Sequence, residues 1–362
     1  MSQATNSKVN PVLNFVSLLK PKQSILTAMA IVVCSTTMLS STKAFANERM
    51  PSDYLADGWN RYIYFPFLQQ LSQIDSTPAA SDDEKIKCDR FYSKVKAKGE
   101  AKINLGIGYY DSSEGEPFSF DYYPDHSSTL AHFDFGMNAT IDIAYAEVYR
   151  QILTRPCIGH LQICGFNEAG AGQFEKMVTA PDGTKVRAIV QIKNGSYSPE
   201  HDKNISIYKD QQSAKSDATT HWFFDGLKTA DLAVYNGHSR KGGGPDFSPP
   251  KLLPTLHVNY PYYQKATPGL NRLLAGLNAS AHPAALMLMS CNSALLFEKK
   301  VGKVAPEMSF AGTNAIIPGD LPTKGALAGI DSFLKFQCQA GFTKELTLEP
   351  AMLQQLKPLK MK

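Results

Sequence analysis

The sequence predicts an α/β protein built on a mainly parallel sheet with helices on both faces. Short segments that are apolar throughout recur in its second half: VRAIVQI at 186–192, ADLAVY at 230–235 and AALMLM at 284–289. Strands covered on both faces read this way, whereas half-exposed strands alternate. Helix-length segments at 213–227 and around 269–277 separate them, which is the rhythm of a parallel sheet. With 43% hydrophobic and 19% charged residues, the chain has the composition of a folded globular protein.

Taken in order, residues 1–46 read as a signal peptide. The first 24 residues hold Lys8, Lys20 and Lys22 and no acid, and an apolar stretch follows at 25–39. Ala44-Phe45-Ala46 then supplies the small-x-small pattern of a cleavage site, which puts cleavage before Asn47. The apolar stretch is short of the roughly 20 residues a spanning helix needs. An exported chain, periplasmic or secreted, with no membrane span after signal removal is therefore expected. Residues 47–183 are expected to form a smaller mixed α/β region. In it, 47–100 is helical and polar, 101–135 carries short strands and turns, and 141–153 is an amphipathic helix. Residues 184–345 hold the main sheet. Its expected elements are strands at 186–192, 230–235, 284–289 and 308–311, a weak strand at 205–208, and helices at 213–227, 269–277 and after Cys291. A final helix is expected at 326–340, and 346–362 is read as a C-terminal tail.

Charge and cysteines narrow the function classes. Removing residues 1–46 takes four lysines and no acid, which leaves 33 residues of each sign. Such a balance offers no electrostatic footprint for nucleic acid or an anionic membrane. Five cysteines remain, and outside the cytoplasm thiols tend to pair. Cys157 and Cys164 close a short loop. With His160 they are also spaced as zinc ligands, but no fourth ligand is evident, and an oxidising compartment favours the bridge. Cys88 and Cys338 are placed to join the two ends of the mature chain. Cys291 is left over.

Cys291 also has the most unusual context. In open α/β sheets, catalytic groups gather at the carboxyl ends of strands. One strand runs into TADLAVYNGHSRKGGGPDF, with His238 just past it. Another runs into AALMLMSCNS, with Cys291 just past it. A thiol and an imidazole presented from neighbouring strands form a nucleophile–base pair. This layout resembles that of the clan CD cysteine peptidases (caspases, gingipains, legumains), in which one apolar strand ends in His-Gly and a later one in a small residue and Cys. The resemblance covers residues 184–345. It implies a caspase-like sandwich, with His238 as base, Cys291 as nucleophile and a peptide or protein as substrate. Two departures stand out: Ser239 follows the histidine where glycine is usual, and the caspase signature around the cysteine is replaced by Ser290-Cys291-Asn292.

Gly237, Ser239, Ser290 and Asn292 are the expected oxyanion and site-lining residues, with Asn236 and Asn292 flanking and orienting the pair. Gly243, Gly244 and Asp246 are candidates for a substrate pocket, Asp246 being equally readable as a turn residue. No metal or cofactor is expected. Gly106-Ile107-Gly108 lacks the third glycine of a dinucleotide fingerprint, since Asp111 holds that position. The reading that results is an exported cysteine hydrolase, a peptidase. The alternative is a catalytically silent domain of this fold with a binding or structural role in the envelope.

Overall fold

A computed structural model describes residues 51–110, 117–122, 131–137, 140–277 and 282–362. The expected signal peptide, 1–46, lies outside the described residues.

One sheet organises the described chain, and its eight strands are ordered β10-β9-β8-β7-β1-β6-β5-β4. Its centre is parallel: β9 (Ser309–Thr313), β8 (Ala285–Met289), β7 (Leu232–Asn236), β1 (Glu100–Ile107) and β6 (Lys185–Asn194). Antiparallel strands finish both edges, β5 (Gln173–Thr179) and β4 (Asn167–Gly170) on one side and β10 (Leu356–Lys357) on the other. Every residue of β7, β8 and β9 is buried, as continuous apolar runs require. By contrast β5 alternates in part, burying Phe174 and Val178 and exposing Met177. A separate hairpin pairs β2 (Pro117–Tyr122) with β3 (Ala131–Met137).

Helices cover both faces. On one, α3 (Asp82–Lys98), α4 (Thr140–Thr154) and α10 (Asp320–Leu334) pack Val95, Val148, Ile152, Leu327 and Ile330 against the sheet. On the other, α6 (Lys209–Gly226) and α8 (Pro268–Gly276) bring Phe223, Phe224, Leu270 and Leu273 onto Ala233, Tyr235, Leu286 and Leu288. Helix α3 shows why local sequence sets these bounds: Ser81 caps its start by accepting from the Glu84 N–H at 3.2 Å, and left-handed Gly99 ends it. Helix α10 lies closer still to β8. A Cβ at Gly325 would stand 2.7 Å from Met289 Sδ, and one at Gly329 would stand 2.0 Å from Met287 Cε. The helix therefore runs antiparallel to β8, its N-terminus at the strand's carboxyl end.

Several expectations change here. The sheet draws its strands from both sides of residue 183, because β1 lies between β7 and β6. Residues 205–208 form a turn between α5 (His201–Asn204) and α6 rather than a strand; Ile205 and Ile207 are exposed and have no pairing partner. The helix expected at 326–340 starts earlier and stops at Leu334, and α11 (Gln339–Leu346) and α12 (Pro350–Gln355) follow it. Residues 346–362 are thus no loose tail, since β10 pairs with β9 and Leu359 and Met361 are buried.

Both expected bridges are present. Cys88 joins Cys338 across 250 residues and Cys157 joins Cys164, with Cα separations of 5.2 and 5.1 Å. The second bridge takes up the two thiols a zinc site there would need. No helix among the described residues is long and apolar enough to cross a membrane.

Candidate active site

Strand register brings the two predicted residues together. Asn236 of β7 pairs with Met289 of β8, and the Gly237 N–H still reaches the Met289 carbonyl at 3.3 Å. The offset between paired residues equals the offset between His238 and Cys291, so both leave neighbouring parallel strands at the same level. Side chains alternate along a strand, which puts residues 234 and 236 of β7 on one face with 287 and 289 of β8. That face is the one α10 covers, and Cys291 packs against its core. Among the described residues Cys291 is the one cysteine without a bridge, and it is part-buried. No hydrogen bond joins it to His238 among the described residues.

A third strand end completes the site. Beyond β1, Gly108 donates its N–H to the Asn236 carbonyl at 2.9 Å and Tyr109 donates to the Asp246 carbonyl at 3.1 Å. Gly108 is needed for this approach: a Cβ there would stand 2.3 Å from the Tyr235 hydroxyl. Tyr110 follows. Its carbonyl lies 2.9 Å from His238 Nε2 and its ring centroid 5.3 Å from the imidazole. A carbonyl only accepts, so the hydrogen sits on Nε2 and the lone pair on Nδ1. Burial, and secondarily the Arg240 guanidinium, pushes the His238 pKa down to about 4 against the pull of the Tyr110 carbonyl. At neutral pH the ring is an uncharged base.

The strand order explains why three ends converge. Numbered by their order along the chain, the parallel strands run 2-1-3-4-5, and the chain reverses direction across the sheet between β1 and β7. Ligands in open α/β sheets bind at that switch point, beyond the carboxyl ends. Tyr110 and His238 border it directly.

The remaining predicted residues divide into two groups. Around Cys291, Ser290 is buried and its carbonyl accepts from Thr313 Oγ1 at 2.6 Å. Asn292 adopts a left-handed φ of 55° and donates its N–H to the Ala315 carbonyl at 2.8 Å, which turns the chain sharply after the thiol. Continuous helical structure follows from 294 as a wide turn, Ala294–Glu298, that runs into α9 (Lys299–Val304). The backbone N–H groups of Ser239 and Cys291 make no hydrogen bond among the described residues, whereas that of Gly237 is used in the ladder.

The glycine loop belongs to the second group. Arg240, Lys241 and Gly242 all have positive φ, and this left-handed turn folds the loop back on itself. Gly243 and Gly244 are buried in it, a Cβ at either falling 2.7 Å from Tyr263 Cβ or the His238 carbonyl oxygen. Asp246 faces inward, its carboxylate 3.7 Å from the buried Arg240 Nε and accepting from the Ser248 N–H at 3.1 Å. Arg240 in turn donates to the Tyr109 carbonyl at 3.0 Å. These residues brace the loop under His238. A cavity of about 960 Å³ lies elsewhere, beside Cys88–Cys338, and its lysines are already engaged, Lys85 with Asp89 and Lys96 with Asp182.

Sequence reasoning missed Tyr110. The text of 101–135 reads as strands and turns, and nothing in it says that β1 lies next to β7. Comparisons of the chain with family models, with characterised proteins and with solved structures return no match.

Proposed function

We propose that the chain is an exported cysteine hydrolase of caspase-like architecture, acting on a peptide or protein. The observation that carries this reading is the matched register of His238 and Cys291, with His238 Nε2 held on the Tyr110 carbonyl. It leaves Nδ1 as the basic nitrogen, which the hydrolase reading requires to face the thiol. In this reading Nδ1 takes the Cys291 proton as Sγ attacks the acyl carbon. The tetrahedral oxyanion faces the N–H groups of Cys291 and Ser239. The protonated imidazole then gives its proton to the leaving amine, and water hydrolyses the thioester with His238 again as base. The two disulfides support a route to an oxidising compartment.

A second reading, a silent binding or envelope domain, is favoured by the missing hydrogen bond between His238 and Cys291 and by Ser239 in place of glycine. One experiment separates them. The purified mature protein is treated with iodoacetamide at neutral pH without reductant and mapped by peptide. The hydrolase reading expects fast, single-site modification of Cys291 that slows about tenfold or more in His238→Ala, as loss of an activating base requires. A slow Cys291, indifferent to that substitution, would leave the silent domain.

A further inference from the structure

Asn236 is a polar residue in a strand that is otherwise apolar, and it is fully buried. Burying an amide costs free energy unless its hydrogen bonds are made. Here both donors and the acceptor oxygen are engaged. Oδ1 accepts from the Tyr110 hydroxyl at 2.5 Å, and Nδ2 donates to the Tyr149 hydroxyl at 3.0 Å and to Thr323 Oγ1 at 2.8 Å. The amide thus ties β7 to α4, α10 and the segment leaving β1 in one contact.

Past Ile107, β1 pairs with no further strand, so Tyr110 depends on specific bonds for its position. Asn236 holds that segment twice, through its own carbonyl to the Gly108 N–H and through its side chain to the Tyr110 hydroxyl. The Tyr110 carbonyl is in turn the partner of His238 Nε2. A leucine at 236 would suit the buried strand at least as well and would hold neither Tyr110 nor, through it, the imidazole.

We propose that Asn236 is the positioning residue of this site: backed by Thr323 and Tyr149, it fixes Tyr110, whose carbonyl locks His238 as the Nε2–H tautomer with Nδ1 turned to Cys291. The proposal rests on the hydrolase reading only for the consequence at Cys291. The tautomer itself is a property of the folded protein, whatever its activity.

The test uses the whole mature protein and three variants. Tyr110→Phe removes one oxygen and keeps the ring and carbonyl. Thr323→Val removes the hydroxyl that orients the amide, and Thr323→Ser restores it. Two-bond ¹H–¹⁵N spectra report the His238 tautomer, and iodoacetamide reports Cys291. The wild type and Thr323→Ser are expected to show a single Nε2–H form. Tyr110→Phe and Thr323→Val are expected to show a mixture of tautomers, with Cys291 alkylation slowed about tenfold, the rate equivalent of one lost hydrogen bond. If both variants keep the single tautomer and lose only thermal stability, Asn236 is a structural cross-link and the proposal fails. Should Thr323→Val not fold, Tyr110→Phe decides alone. An unreactive wild-type Cys291 would remove the hydrolase reading and leave the tautomer result to judge this one.

Discussion

The two ends of α10 are fastened with opposite chemistry. At Thr323 the partner is the neutral Asn236 amide, which also engages Tyr149 and Tyr110 beneath the candidate site. At the far end the partners are charged and buried. Lys335 Nζ lies 2.7 Å from Asp331, 2.9 Å from Glu345 and 2.9 Å from the Ile74 carbonyl. Asp331 also accepts from the N–H groups of Gln162 and Ile163, at 2.6 and 2.8 Å, in the loop that Cys157–Cys164 closes. Just beyond, Cys338 is bonded to Cys88. Buried charges give directional contacts but impose a large penalty once one partner is lost. Neutral hydroxyls and amides cost less to bury and put no strong field beside His238. The difference suggests a division of labour: the buried charges around Lys335 anchor the fold, and the neutral contact at Thr323 orients the site, while Lys324 beside it turns to Asp320 and Glu349.

That division can be broken most forcefully at the disulfide. Replacing Cys88 and Cys338 with serine frees a loop of 250 residues. In the chain-entropy view this costs about 5 kcal/mol of stability, measurable by denaturant unfolding. The rate of Cys291 alkylation in the native protein is expected to stay unchanged. Next comes Lys335→Met, which leaves Asp331 and Glu345 buried without their cation. A loss of about 3–5 kcal/mol is expected from the urea midpoint, again with little effect on Cys291. If either change slowed alkylation as much as Thr323→Val does, the ends of α10 would be coupled and the division wrong.

The smallest effect is a dependence on pH. One lysine serves two carboxylates, and burial, followed by the charge of Asp331, raises Glu345 from 4.5 to about 7. The unfolded chain therefore gives up that proton first. Stability from this group is complete below about pH 4.5 and is lost as pH rises toward 7. His238 works in the other sense: its pKa is lowered from 6.5 to about 4, so its contribution is complete above 6.5 and is lost as pH falls toward 4. Glu345→Gln is expected to flatten the decline between about pH 4.5 and 7 in a series of urea midpoints, leaving the share of Asp142, which burial also raises to about 7. A decline unchanged by the substitution would show that Glu345 does not titrate in this window.

Much of the candidate site was legible in the sequence, for a physical reason. Strands buried on both faces must be apolar throughout, so ADLAVY and AALMLM announced themselves, and the residues just beyond them were the ones to inspect. The odd cysteine count pointed to Cys291 on its own. The illegible parts depend on neighbours distant in the chain. Edge strands β4 and β5 carry exposed polar positions and offer no apolar run to mark them. Asp246, placed by sequence between a pocket and a turn, has its carboxylate facing Arg240 because the left-handed turn at 240–242 folds the loop inward.

From the residues alone came an α/β chain with a parallel core, a short Cys157–Cys164 bridge with Cys88 and Cys338 as a candidate second pair, and a histidine and a thiol just past two apolar strands. Each follows from local periodicity, from composition or from counting. Tertiary structure alone decided that β1 lies between β7 and β6, that Tyr110 therefore meets His238, and that Asn236 joins three elements beneath them. Strand order and register are set by how helices on both faces pack against the whole sheet, and no single segment carries that information.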